Sequence, residues 1–270
     1  MAQESELKTV IVTQDEPLYL PEFFGTFLER ANRPDSPVEI AATVILDTQN
    51  GSHFEFAKKL FGVYGPTAFT RLGLQYARTR LAEQLHWAGL KRSAVTIPQL
   101  LNGADIDCWS FRDVNDPDFV SRLRFREIDV VAGVAPPQIF KPELLSAPTY
   151  GCINSHSGPL PRYRGMMPVF WSLLNDEPEL TVTIHRMNEN IDDGELLKQD
   201  SIPTSDGLSL DEAIRRTKRL SGRVMHEVLV EIADGHLDPI EIPDDAETSY
   251  FSFPEPKHGR EFRRSGHSFF

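Results

Sequence analysis

Short apolar runs rich in β-branched residues alternate with segments of helical periodicity over the first half of the chain. Five runs are apolar on both faces, as strands inside a parallel sheet are: residues 9–13, 40–46, 106–109, 129–132 and 152–154. Helices are predicted between them, at residues 21–31, 52–61, 68–87, 117–126 and 141–145. This alternation predicts an α/β fold, with a mostly parallel sheet and helices on both of its faces.

The pattern changes in the second half of the chain. Residues 180–186 alternate apolar and polar side chains and can pair with the run at residues 196–201. A long helix is predicted at residues 209–233, because Ser209 and Glu212 have the spacing of a capping box.

Gly235 lies where this long helix is expected to end. We therefore predict one main domain, residues 1–235, and a small C-terminal extension, residues 236–270. The extension is rich in aromatic residues, so we expect it to pack on the body of the protein. An alternative is that its aromatic side chains form the interface of a homodimer.

Composition limits the partners and the compartment. The chain has 40 acidic and 28 basic residues and a net charge of −12, which argues against broad binding of nucleic acids. Cys108 and Cys152 form no Cys-x-x-Cys motif, so we predict neither a disulfide framework nor a metal site. No signal peptide and no membrane-spanning run is recognisable, and a cytoplasmic location is the simplest expectation.

Two polar side chains end the fifth predicted strand. Asn154 and His156 are two residues apart, so on an extended segment they can point to the same side. Ligands of open α/β sheets bind outside the carboxyl ends of the strands. An amide donor and an imidazole aimed at one point can stabilise an oxygen that gains negative charge. The alternative is structural: Asn154 caps a turn and His156 is an exposed loop residue.

A second polar loop follows residues 180–186 and contains Asp192 and Asp193. A carboxylate in this loop can orient His156 or accept a proton through a water molecule. The alternative is a polar hairpin whose Asp and Gly residues serve only the turn.

Several of these residues occur in one ordered series. Asn-x-His at 154–156 is followed by Leu-Pro-x-Tyr-Arg-Gly at 160–165, by the strand histidine His185, and by Asp-x-Gly at 192–194. Over residues 130–201 this series resembles the folate-dependent formyltransferases. That family includes glycinamide ribonucleotide transformylase, the catalytic domain of methionyl-tRNA formyltransferase and the nucleotide-sugar N-formyltransferases.

The resemblance implies a Rossmann-like formyltransferase fold for the catalytic domain, residues 1–235. It also implies an enzyme that transfers a formyl group from 10-formyltetrahydrofolate, its co-substrate, to a primary amine. No metal is implied. Asn154, His156 and Asp192 match the catalytic residues of the family, and Gly194, two residues further on, favours Asp192 over Asp193.

The resemblance also implies a cofactor site formed largely by backbone after the fourth strand and in the loop before Asp192. His185 either supports the catalytic residues or is an ordinary sheet residue. The cofactor-binding candidates are Gly133, Val134, Ala135, Gly158, Pro159, Leu160, Pro161, Met187 and Asn190. Many members have a serine where this chain has Gly158, so the details of the folate contact differ here.

The acceptor amine is predicted from two places where this sequence departs from other members of the family. The loop at residues 14–17 is acidic and lacks the glycine-rich phosphate-binding sequence of the purine enzyme, which argues against glycinamide ribonucleotide. The Gly-Pro-Leu-Pro sequence at 158–161 resembles members that act on amino sugars, so a nucleotide-linked amino sugar is the expected acceptor. The alternatives are methionyl-tRNA, hydrolysis of formyltetrahydrofolate, and a binder without catalytic activity.

Overall fold

The computed structural model describes residues 6–46, 53–90 and 93–270. Within these ranges the main sheet has seven strands in the spatial order β3-β2-β1-β4-β5-β7-β8. Their bounds are β1 (Leu7–Gln14), β2 (Val38–Leu46), β3 (Cys108–Trp109), β4 (Val130–Val134), β5 (Cys152–His156), β7 (Glu179–Arg186) and β8 (Leu196–Pro203). The short strands β6 (Arg164–Gly165) and β9 (Tyr250–Phe251) form a separate parallel pair.

Strands β1 to β5 run parallel to one another. Strand β7 pairs antiparallel with β5, and β8 pairs antiparallel with β7 at the edge of the sheet. All five predicted parallel strands are present, and the pairing of β7 with β8 confirms the predicted hairpin. The mostly parallel α/β architecture predicted from the sequence is therefore confirmed.

Helices cover both faces of the sheet. The eight assigned helices of the described residues are α1 (Leu20–Ala31), α2 (His53–Trp87), α3 (Ile97–Gly103), α4 (Pro117–Phe125), α5 (Pro142–Leu145), α6 (Pro168–Leu174), α7 (Leu210–Ala233) and α8 (Pro256–Arg264). Helices α1, α3 and α7 pack on one face, with Phe23 and Val228 in that core. Helices α4 and α5 pack on the other face through Phe119 and Leu144.

Two helices were predicted over the range of α2, and the structure confirms this, because α2 is made of two helical segments joined at a kink. Gly65 interrupts it with φ 71° and ψ 172°, a conformation that favours glycine, and Pro66 follows. The helix therefore consists of two segments that meet at Gly65. Residue 52, where the first segment was predicted to begin, lies outside the described residues.

Helices α3, α6 and α8 were not predicted. Each begins with a proline in its first turn, a position where the missing N–H costs nothing. Thr96 and Gln99 also form a capping box at the start of α3. These start signals are in the sequence, but the helices are too short to show a clear apolar period.

The C-terminal residues pack into a third apolar cluster with α2 and α6. Phe262 is fully buried and stacks on Phe170, with ring centroids 4.9 Å apart. Phe269 lies 4.5 Å from the ring of Tyr64. The division into two units at residue 235 remains a prediction. In the part of the chain that the structure describes, no helix combines the length and the apolar character needed to cross a bilayer.

Candidate active site

A cavity of about 710 Å³ opens at the carboxyl ends of β1, β4 and β5. This is the edge of the sheet where ligands of open α/β folds bind. The volume is that of a site for a small organic ligand. The wall includes both polar and apolar side chains: Gln14, Ala135 to Phe140, Asn154 to Ser157, Gly165 to Phe170, His185, Met187, Asn188, Asn190 to Asp192, Ile214, Lys218 and Tyr250.

Asn154 and His156 lie on the same side of β5 and both line this cavity. The sequence predicted that the strand ends at Asn154, but it continues to His156. The reason is the antiparallel neighbour, because His156 pairs with Thr183 on β7. Both side chains are buried and are therefore held by protein contacts rather than by solvent.

The imidazole of His156 is held in one orientation. Its Nε2 lies 2.8 Å from the carbonyl oxygen of Tyr163 and donates a hydrogen bond to it. Its Nδ1 lies 3.4 Å from Oδ2 of Asp192. Burial lowers the pKa of His156, and the nearby Asp192 carboxylate opposes that effect only in part. At neutral pH the ring is therefore uncharged, with its basic nitrogen directed at Asp192.

Asp192 is ionised. Burial acts to raise its pKa, but the nearby side chains of His185 and His156 and the hydrogen bond from the Gly165 amide together lower the pKa below its usual range. The Gly165 N–H donates to Oδ2 at 2.9 Å, and His185 Nε2 lies 3.5 Å from Oδ1. The carboxylate is thus fixed between two imidazoles.

The neighbouring Asp193 faces a different environment. Its Oδ1 forms an ion pair with Arg164 at 2.7 Å, and its Oδ2 accepts a hydrogen bond from Asn190. The side chain of Asp193 is 41% exposed, whereas that of Asp192 is 10% exposed. The structure therefore brings Asp192, and not Asp193, together with His156.

His185 lies between Asn154 and Asp192. Its Nδ1 donates to the carbonyl oxygen of Arg186 at 3.0 Å, so its Nε2 is free to accept the N–H of Asn154 Nδ2 at 3.2 Å. The second N–H of that amide remains available to a ligand. The Oδ1 atom of Asn154 is buried without a hydrogen-bond partner among the described residues, which is unusual outside functional sites.

The predicted cofactor-binding residues divide into two groups. Ala135, Met187 and Asn190 line the cavity. The other six are not part of its wall: Gly133, Val134, Gly158, Pro159, Leu160 and Pro161.

The physical reason is packing within the sheet. Gly133 and Val134 are buried inside β4. The Gly158 carbonyl accepts a hydrogen bond from Thr183 on β7, and the Leu160 carbonyl accepts one from Gln199 on β8. A Cβ at position 158 would lie 3.2 Å from His156 Nε2, so this glycine makes room for the imidazole.

Lys218 was missed by the sequence interpretation. Among the described residues that line the cavity it is the one lysine or arginine, and its Nζ lies 3.4 Å from Ser157 Oγ. Burial lowers the pKa of Lys218, and the charge of Glu16 opposes this effect. Lys218 follows Ile214 by one turn on α7, so a signal was present: a lysine on the apolar side of an amphipathic helix.

Gly165 was also missed as an active-site residue. Its φ is +97°, and a Cβ on it would lie 2.3 Å from the carbonyl oxygen of Phe251. Both the backbone conformation and the close approach of β9 therefore require glycine at this position. Gly165 is the glycine of the Tyr-Arg-Gly sequence, and its amide is one of the groups that hold Asp192.

We expect Gly165→Ala to lower the free energy of unfolding by about 3 kcal/mol, because the new methyl group overlaps the Phe251 carbonyl. Gly207→Ala is the matched control. Gly207 also has a positive φ, of +71°, but has open space around it, so a loss of about 1 kcal/mol is expected. Chemical denaturation of both variants measures the difference, and equal losses would contradict the steric explanation.

Within the described ranges, no group of three or more His, Cys, Asp or Glu side chains is arranged to hold a metal ion.

The fold and the site together define the class: an α/β protein with a candidate catalytic cavity, containing Asn154, His156 and Asp192, at its strand ends. The family model for formyl transferases matches residues 81–229, more than half of the chain. The chain belongs to the formyl transferase family.

A curated relative is the methionyl-tRNA formyltransferase of Caldanaerobacter subterraneus subsp. tengcongensis, 32% identical over 136 residues. The alignment covers 50% of this chain and 44% of the relative. The chain thus spans less than half the length of this curated relative.

Solved structures share the fold at low sequence identity. Glycinamide ribonucleotide transformylase 1 from Symbiobacterium toebii has a TM-score of 0.60 and 14% identity, covering 88% of this chain and 92% of the other. The N-formyltransferase from Helicobacter canadensis, solved with folinic acid and dTDP-3-aminofucose, has a TM-score of 0.53 and 14% identity. That match covers 90% of this chain and 70% of the other.

Proposed function

We propose that this protein transfers the formyl group of 10-formyltetrahydrofolate to a primary amine, with Asn154, His156 and Asp192 as catalytic residues. One observation carries the proposal: a buried, neutral imidazole and an ionised carboxylate meet an amide donor at one end of a cavity of ligand size. Family membership supports the same reaction class.

The reaction begins with attack of the neutral amine on the formyl carbon. A C–N bond forms, and the electron pair of the C=O bond moves to the oxygen. The free N–H of Asn154 Nδ2 stabilises the resulting oxyanion. This contribution is greatest when the charge has developed, so it accelerates the reaction rather than only binding the substrate.

The attacking nitrogen must then lose a proton. Nδ1 of His156 accepts it, and the imidazolium so formed donates hydrogen bonds both to Asp192 Oδ2 and to the Tyr163 carbonyl. The intermediate collapses when the bond between the formyl carbon and N10 of the folate breaks. The proton held by His156 passes to N10, and the products are a formamide and tetrahydrofolate.

The folate is proposed to occupy the side of the cavity formed by the loops after β4 and before Asp192. Ala135, Phe140 and Met187 form an apolar wall there, with polar atoms contributed by Asn190. A flat ring system with polar edges fits such a wall. Folinic acid in the Helicobacter canadensis structure supports this co-substrate class.

The acceptor is proposed to be a nucleotide-linked amino sugar that enters on the side formed by α7. Lys218 and Ser157 lie on that side, and a diphosphate group would find a cation there. The amino-sugar nucleotide in the Helicobacter canadensis structure supports this class. Methionyl-tRNA is the second candidate, since the curated relative is named for it, but a net charge of −12 opposes a large polyanion.

Release of tetrahydrofolate from 10-formyltetrahydrofolate tests the proposal. The purified protein is assayed without an acceptor, with a panel of nucleotide-linked amino sugars, and with methionyl-tRNA. Release that requires an amino sugar supports the proposal, and release that requires methionyl-tRNA replaces the acceptor. Equal release without any amine points to a hydrolase, and no release under any condition favours a binding protein.

We expect Lys218→Met to raise KM for the acceptor about tenfold, because the anionic group loses its cation. KM for the folate should stay within about twofold. Lys257→Met is the matched control, since Lys257 is exposed on α8 and its ion pair among the described residues is with Glu255. Steady-state kinetics with each substrate varied in turn measures both constants, and an unchanged acceptor KM would contradict this assignment.

We expect activity to fall on the acid side with an apparent pKa below 6.5, the ordinary histidine value. Burial lowers the pKa of His156, so protonation removes the base only at lower pH and activity at pH 7 is complete. The profile of kcat/KM against pH reports this group in the free enzyme. His236→Gln, at an exposed histidine, serves as the control, and an apparent pKa above 7 would contradict a neutral His156.

A further inference from the structure

We propose that the C-terminal strand β9, with Ser249 before it, is a positioning element of the active site. It holds the loop at residues 163–165, and the backbone of that loop orients His156 and Asp192. The inference rests on the proposed function for its kinetic consequences, while the contacts themselves are independent of it.

Residues 249–252, which we call the tail, bind the outer side of this loop. The Tyr163 N–H donates to Ser249 Oγ at 3.0 Å, and the Arg164 N–H donates to the Ser249 carbonyl at 3.0 Å. The Met166 N–H donates to the Phe251 carbonyl at 2.8 Å. Three amides, those of Tyr163, Arg164 and Met166, are therefore satisfied by two residues of the tail.

The inner side of the same loop contacts the proposed catalytic residues. The Tyr163 carbonyl accepts the hydrogen bond from His156, and the Gly165 amide donates to Asp192. The same short loop therefore binds the tail through some of its backbone groups and the proposed catalytic side chains through others. Any shift of the loop would move both contacts.

The loop needs this support because its conformation is not relaxed. Tyr163 has φ +58° and Gly165 has φ +97°. A bulky residue in the left-handed region is strained and persists only when its surroundings hold it. The Tyr163 ring also stacks on Phe251, with centroids 5.1 Å apart, so the tail fixes the side chain as well as the backbone.

The tail is itself anchored to the body. Trp171 on α6 stacks on Phe251 at 4.9 Å, and its Nε1 donates to the Ser252 carbonyl at 3.2 Å. Residues 249–251 lie beyond residue 229, where the match to the family model ends. The positioning role therefore belongs to a part of this chain that the family match does not include.

Ser249→Ala removes the Oγ that receives the Tyr163 amide. We expect kcat for formyl transfer to fall about tenfold while KM for both substrates stays within about twofold, since small displacements of catalytic groups cost rate. Ser249→Thr, which keeps the hydroxyl, should restore kcat to within about twofold. Ser252→Ala is the matched control, because that side chain is exposed and the contact with Trp171 is made by the Ser252 carbonyl, which the substitution keeps.

A mutant cycle separates positioning from a general loss of stability. In a background that carries both His156→Ala and Asp192→Asn, Ser249→Ala should reduce the residual kcat by less than a further twofold, because both groups through which Ser249 acts have been removed. A full tenfold loss in that background would overturn the proposal. So would an unchanged kcat for Ser249→Ala in the wild-type background.

Hydrogen exchange of the Gly165 amide gives a readout that needs no catalysis. We expect exchange about tenfold faster in Ser249→Ala, and unchanged in Ser252→Ala, because the loop opens more often when the tail contact is lost. If the wild-type protein transfers no formyl group, the proposed function fails, and this measurement alone decides the positioning role. Unchanged Gly165 exchange in Ser249→Ala would overturn it.

Discussion

Asp192→Asn is expected to reduce kcat for formyl transfer by about 10²–10⁴-fold while the protein remains folded. The amide retains an oxygen that can accept the Gly165 N–H, so the loop keeps its geometry. What is lost is the negative charge beside His156, which stabilises the imidazolium after proton transfer. Steady-state kinetics measures the loss, and the Tm of the variant verifies the fold.

Asp193→Asn is the control for this result. The side chain of Asp193 pairs with Arg164 and Asn190 and does not reach the histidines, so kcat should stay within about threefold of wild type. If instead Asp193→Asn were the inactive variant and Asp192→Asn remained active, the assignment of the carboxylate would be wrong. The two substitutions differ by one position and remove the same charge.

Asn154→Ala is expected to reduce kcat by about 10²–10³-fold, the usual cost of losing one donor to a developing oxyanion. Binding of a non-reactive folate analogue should change little, because the donor is used mainly in the transition state. Kinetics and equilibrium binding together separate the two effects.

Asn102→Ala provides the reference for this second prediction, since Asn102 is exposed near the end of α3. It should leave kcat within about twofold. A loss of less than tenfold for Asn154→Ala would contradict its role as the oxyanion donor. His185 loses one hydrogen-bond partner in this variant, so its contact with Asp192 should be re-examined in the structure of the variant.

The strands and long helices could be predicted because their signals are local. Residues 10–12 and 130–132 are continuous apolar runs, and such runs are buried wherever they lie in a parallel sheet. Ser209 caps α7 as expected, because its Oγ accepts the Glu212 amide three residues on. Short helices such as α6 have too few residues for a period to appear.

The site could be predicted only in part. Asn154 and His156 share a strand, so their common orientation follows from the period of two. Asp192 was distinguished from Asp193 by a sequence motif alone, whereas the contacts of Arg164 and Gly165 separate them physically. The predicted cofactor role of residues 158–161 has no counterpart in the cavity wall, because that segment bonds to β7 and β8 instead.

The sequence by itself determined the alternation of strands and helices, the place of Asn154 and His156 at a strand end, and the order of the motif that contains Asp192. Only the tertiary structure decided what surrounds them. Lys218 and Ser249 are 62 and 93 residues away from His156 along the chain. Their contacts depend on how α7 and the tail close over the strand ends. Such contacts arise from packing between distant segments, and they cannot be predicted from hydrophobic periodicity or from secondary-structure propensity, which are local.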